Sequence, residues 1–154
     1  MQDAKKLQFS VLRAEDSKHI APYFYRRPNR TCDSCALDSY LWREYCDIMV
    51  AEEEDKALFL LMDREGEKYT AMPYCDEEDL PIYFQRIEEY FNQVLNQPLK
   101  IYLADEEAVK FLKLEENPRY LVKEEEDFKD YLCGNYDIPV VINDNKILPF
   151  DEFC

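Results

Sequence analysis

Residues 48–72 carry three apolar, strand-like runs in close order, at 48–51, 57–62 and 68–72. The turn-like Asp63-Arg64-Glu65-Gly66 joins the last two, so the stretch predicts an antiparallel meander. A long helix is expected to follow. Asp76, Glu77, Glu78 and Asp79 load its start with acid, and Leu80, Phe84, Ile87, Phe91 and Val94 recur at helical spacing as its buried stripe. Pro98 stops it.

The flanking segments extend the pattern. Leu7, Phe9 and Val11 alternate with Gln8 and Ser10, the period of a half-buried strand. In 15–25, Ile20, Tyr23 and Phe24 follow helical spacing behind Glu15 and Asp16, and Pro28 ends the helix. Asp33 is placed to cap a second helix whose face of Leu37, Tyr40, Leu41, Trp42 and Tyr45 is expected to be core. Further on, 99–103 and 120–122 read as strands and 105–114 as a short helix with Val109 and Leu112 inward. Segments 139–142 and 147–150, split by Asn143-Asp144-Asn145, read as a terminal hairpin. Strands before, between and after helices define an α+β chain with a mixed or antiparallel central sheet flanked by helices. The expected core includes Phe9, Leu41, Trp42, Phe59, Leu61, Phe84, Ile87, Phe91, Ile101 and Val122. With no repeat or linker, one domain is expected over 1–154.

Charge narrows the function classes. The chain has 19 Lys+Arg against 34 Asp+Glu, a formal net charge of −15, so generic nucleic-acid binding is disfavoured. The longest apolar run, 57–62, is too short to span a bilayer, and 1–12 lacks the apolar stretch of a signal peptide. Those features predict a cytoplasmic protein without a membrane span. Only two glycines, Gly66 and Gly134, occur, which leaves no glycine-rich phosphate loop.

Several residues invite chemistry. Cys32 and Cys35 form a CxxC at the mouth of the second helix, but a preceding helix and basic loop differ from a thioredoxin-like setting, and ordinary thiols are the simpler reading. The other cysteines are scattered and His19 is the sole histidine, so no zinc site is expected. His19 itself reads as a solvent-facing helix residue. The acid runs at 52–55 and 124–127 lack the ligand spacing of a calcium loop and read as solvated turns. By contrast, 17–32 carries Lys18, Arg26, Arg27 and Arg30 with no Asp or Glu. Arg26, Arg27 and Arg30, flanked by Tyr23 and Tyr25, are therefore the candidate ligand-binding residues for an anion. The competing reading has these arginines pairing with the surplus acid.

The order Phe9, Glu15-Asp16, Ile20, Pro22-Tyr23-Phe24, Cys32-Asp33, Tyr40-Leu41-Trp42-Arg43, Tyr45, Met72-Pro73, Ile101-Tyr102 and Asp130-Tyr131 resembles a known family. It is similar to the amino-terminal half of phosphatidylglycerol lysyltransferase C-terminal-domain proteins, bacterial relatives of the FemABX aminoacyltransferases. The resemblance covers about 7–132 and leaves a divergent hairpin at 136–154. It implies a GNAT-like half, one of the two that such proteins carry in tandem. The family's Lys- and His-rich stretch and second half have no counterpart after Tyr131, so no catalytic residue is carried over and no cofactor is implied. The resemblance implies a truncated, non-catalytic relative that binds an anionic ligand or a protein partner. Two alternatives stay open: an aminoacyltransferase completed by homo-oligomerisation or a second chain, and an acidic interaction protein or nucleic-acid mimic.

Overall fold

The computed structural model describes residues 7–27, 35–102, 104–124, 140–142 and 146–148. The chain forms two compact units, Met1–Glu124 and Glu125–Cys154. In the second unit β5 (Val140–Ile142) and β6 (Lys146–Leu148) pair antiparallel, Val141 opposite Ile147, as the expected hairpin.

The first unit is α+β. Its sheet has the order β1 (Ser10–Val11), β2 (Asp47–Glu53), β3 (Ala57–Arg64), β4 (Glu67–Thr70), every neighbour antiparallel. This is the predicted meander with one short strand added in front. The β3–β4 turn places Gly66 at φ 88, where a side chain is strained, and the Gly66 N–H donates to Asp63 Oδ1 at 2.9 Å.

Helical layers cover both faces of the sheet. Ala57, Phe59 and Leu61 of β3 pack into one cluster, while Leu58 and Leu60 pack into another, because successive strand side chains point to opposite faces. Burial on both sides is why β3 reads as an unbroken apolar run. The first face is covered by α3 (Leu80–Glu89), through Leu80, Tyr83, Phe84 and Ile87, and by α4 (Glu106–Phe111), through Ala108 and Val109. Covering the second face are α1 (Ser17–Ile20), the 3-10 turn Ala21–Tyr25 and α2 (Ala36–Leu41), through Ile20, Tyr23, Phe24 and Ala36.

Several expectations are corrected. Leu41 and Trp42 are 56% and 50% exposed and Tyr45 is 73% exposed, so the far end of the second helix is surface. The cause is local: α2 tightens into a 3-10 turn at Trp42–Glu44, and a change of period rotates the apolar face away from the sheet. Trp42 and Tyr45 meet instead, ring centroids 5.3 Å apart. Consequently Trp42→Ser is expected to cost no more than about 1 kcal/mol in urea unfolding followed by circular dichroism, well below the cost of truncating a core aromatic.

Val94 is 42% exposed because α3 widens into a π-helical turn at Tyr90–Val94. The predicted 99–103 strand survives as one parallel bridge, Thr70 opposite Ile101, and no strand forms at 120–122. Leu103 lies outside the described residues. Phe9, Ile101 and Val122 are partly buried against the first cluster, whereas Phe59, Leu61, Phe84, Ile87 and Phe91 are buried as expected.

Candidate functional site

Of the residues predicted to hold an anion, Tyr23 and Arg26 follow α1 and lie against the β2–β3 hairpin, Arg26 also reaching the start of α3. Each is spent differently. Tyr23 is buried, and its hydroxyl donates to Glu52 Oε2 at 2.7 Å. Burial and the Glu52 carboxylate push its phenol well above the usual tyrosine range. Arg26 lies over the Tyr23 ring, 5.0 Å from its centroid. Its guanidinium donates to the Asp55 carbonyl and pairs with Asp76 at 3.5 Å. Tyr25 is 82% exposed. Arg30, Cys32 and Asp33 lie outside the described residues.

Arg27 is the clearest departure from the sequence reading. It is 5% exposed, and Nη1 and Nη2 each donate to one oxygen of Asp105 at 2.7 Å. Burial opposes the charge on Arg27, and the Asp105 carboxylate more than restores it, so its pKa is raised. Asp105 also accepts from the Ala108 N–H at 2.9 Å and so caps α4. The bidentate fork leaves Arg27 a structural partner of Asp105, separated in role from Arg26. Among the described residues, Nε of Arg27 is buried without a hydrogen-bond partner. Beside this guanidinium, Cys75 is fully buried, and desolvation pushes its thiol up to about 12. A thiol held protonated in this way is not a nucleophile.

His19 is an exposed residue of α1, as expected, and it also has a partner. Its Nε2 lies 2.8 and 2.9 Å from the two oxygens of Glu52, so Glu52 gathers His19 and Tyr23 onto one carboxylate. Neither contact has a local sequence signal, because the partners are 33 and 29 residues apart. No hydroxyl or thiol is bonded to His19 among the described residues.

The acid runs at 52–55 and 76–79 are separate in the sequence, and the fold joins them. Arg26 touches both, at the Asp55 carbonyl and at Asp76. Tyr83 senses both as well: burial first, then Asp79, Glu53 and Glu54, push its phenol up. Three of these carboxylates are engaged internally, Glu52 by hydrogen bonds with His19 and the Tyr23 hydroxyl, Glu53 by the Arg86 guanidinium at 3.0 Å, and Asp76 by Arg26. Glu54, Asp55, Glu77, Glu78 and Asp79 have no ion-pair partner among the described residues. Glu54 and Asp55 form the hairpin tip at φ 55 and 54, a left-handed pair that turns their side chains out from the sheet edge. An open groove of about 340 Å³ lies alongside, lined by Asp76, Glu77, Glu78 and the 44% exposed Phe111.

A second open groove, about 460 Å³, runs along α3. Its Glu88 accepts from Arg119 at 3.1 Å and from the Tyr120 hydroxyl at 2.9 Å, so the charged groups there satisfy one another. Among the described residues no three His, Cys, Asp or Glu side chains are placed to share a metal ion, and no helix is long and apolar enough to cross a membrane. Compared with family models, curated proteins and solved structures, the chain matches none of them.

Proposed function

We propose that the chain is a non-catalytic interaction domain, a relative of the phosphatidylglycerol lysyltransferase and FemABX aminoacyltransferases, that docks a basic segment of a protein partner on its acidic face. The observation that carries this reading is the convergence of residues 52–55 and 76–79, which leaves five carboxylates without ion-pair partners among the described residues at one end of the sheet. Carboxylates clustered beside an apolar contact such as Phe111 complement Lys and Arg side chains with aliphatic stems. An anionic ligand is the less favoured occupant, because Arg27 is committed to Asp105 and Arg26 already sits among acceptor oxygens. The relationship to the aminoacyltransferases rests on the sequence resemblance alone, and the α+β sheet is compatible with it.

The test uses a lysine-rich peptide, titrated by isothermal calorimetry over a salt series, with aminoacyl-tRNA, acyl-CoA and anionic vesicles as alternative ligands. The peptide is expected to bind, and its affinity to fall as salt screens the carboxylates. Glu77→Gln/Glu78→Gln should weaken it by about tenfold, a loss of about 1.4 kcal/mol. Glu15→Gln/Glu65→Gln removes the same charge at the opposite end of the sheet and should leave binding within about twofold. Equal losses in the two variants would reduce the effect to net charge and end the proposal. Binding of any of the three anionic ligands in place of the peptide would return the reading to an anion site.

A further inference from the structure

The two lateral edges of the sheet are unlike. At the β4 edge, residues 100–102 cap the strand: the Thr70 N–H donates to the Lys100 carbonyl at 2.9 Å, and the Tyr102 N–H to the Thr70 carbonyl at 3.0 Å. The other edge is β1. There the Leu12 N–H donates to the Ile48 carbonyl at 3.0 Å, with Ser10 opposite Val50. Backbone groups alternate sides along an antiparallel ladder, so Ser10 and Leu12 face β2 while Phe9 and Val11 turn theirs away. Those outward groups have no hydrogen-bond partner among the described residues.

Free edges are ordinarily blunted by a short strand, charge, proline or a bulge, and of these β1 has only its short length, Ser10–Val11. The run Leu7-Gln8-Phe9-Ser10-Val11-Leu12 has no charged residue and no proline, in a chain that is 34% charged. Val11 is 65% exposed, on the same side of the strand as Phe9, which packs on Tyr90 with ring centroids 5.0 Å apart. An uncharged edge with an uncovered β-branched side chain is a template for strand addition.

We infer that β1 pairs antiparallel with β1 of a second copy, about a two-fold axis passing at Ser10. With that register Phe9 faces Val11 of the partner subunit and Val11 faces Phe9 of the partner subunit. Each pair exchanges N–H and C=O, which satisfies the outward groups on both strands. The exposed Val11 is covered by an aromatic neighbour, a favourable cross-strand pair. Ser10 then meets Ser10 of the partner subunit at the closely spaced, non-hydrogen-bonded position, where small side chains fit. A second copy is favoured over an unrelated peptide because β1 itself supplies outward groups at alternate residues, and an isologous contact needs only that one strand. Two chains of charge −15 also meet with least repulsion along a run that bears no charge.

Sedimentation velocity of the intact chain, from low micromolar to submillimolar protein, tests this. A monomer–dimer equilibrium is expected that strengthens with added salt, because salt screens the repulsion between acidic protomers. That salt response is opposite in sign to the one expected for a basic peptide on the acidic face. Glu77→Gln/Glu78→Gln alters the acidic face and leaves the β1 contact in place, so the two ideas fail separately. Val11→Lys should abolish the dimer with little change in melting temperature, since the side chain is already exposed. With diamide as the added oxidant, Ser10→Cys should give a disulfide-linked dimer absent from the identically treated wild-type chain, because directly opposed strand positions at about 4.5 Å suit a disulfide. A wild-type chain that stays monomeric throughout, a Val11→Lys chain that still dimerises, or a Ser10→Cys chain that does not cross-link would each overturn the inference.

Discussion

Arg27→Met is expected to lower the stability of the chain by about 3–5 kcal/mol in urea unfolding, more than any surface charge in the molecule. The loss comes from the partner left behind. Asp105 is 6% exposed, and without the guanidinium its carboxylate is a buried charge held only by the Ala108 N–H. Asp105→Ala strands Arg27 in the same way and removes the α4 cap, for about 1 kcal/mol more. In the double variant neither charge remains, so the combined loss should be smaller than the sum of the single losses by more than about 1 kcal/mol. Additive losses would mean that the pair is not coupled and that each residue acts through other contacts. The same measurement bears on the anion site, because an arginine free to hold a ligand would be replaceable at about 0–1 kcal/mol.

Phe59→Ala is expected to cost about 3–5 kcal/mol by the same measurement. Phe59 is 1% exposed at the middle of β3, on the face covered by α3, and its ring meets Tyr83 edge to face at 6.0 Å. Truncation removes apolar area from the centre of the larger cluster and leaves a void between sheet and helix that the rigid strands do not close. The aromatic contact adds about 0.5–1.5 kcal/mol. A loss near that of Trp42→Ser would show that α3 is not docked on this face of the sheet.

These outcomes separate what lay open in the sequence from what did not. Periodicity identified the meander, the α3 stripe from Leu80 to Phe91 and the terminal hairpin, because alternation at two and at 3.6 residues records which side of an element avoids water. It was less informative where the backbone changes pitch. The apolar face of the second helix continues on paper through Trp42 and Tyr45, yet a 3-10 turn carries both to the surface, and the π-helical turn does the same to Val94. Charge showed a cationic segment in an acidic chain and left its use undecided. Arg27 lies 78 residues from Asp105, and His19 lies 33 from Glu52. Such pairs have no signature along the chain, since they form only when the helical layers close over the sheet. The same holds for the acidic face: 52–55 follows from a hairpin tip and 76–79 from a helix start, each explained locally. Their meeting around Arg26 depends on the end of β2, the start of β3 and the start of α3 lying at the same end of the sheet. Local pattern therefore determined the elements and most of the core. Tertiary closure alone decided which charges were buried against each other and which were left facing water.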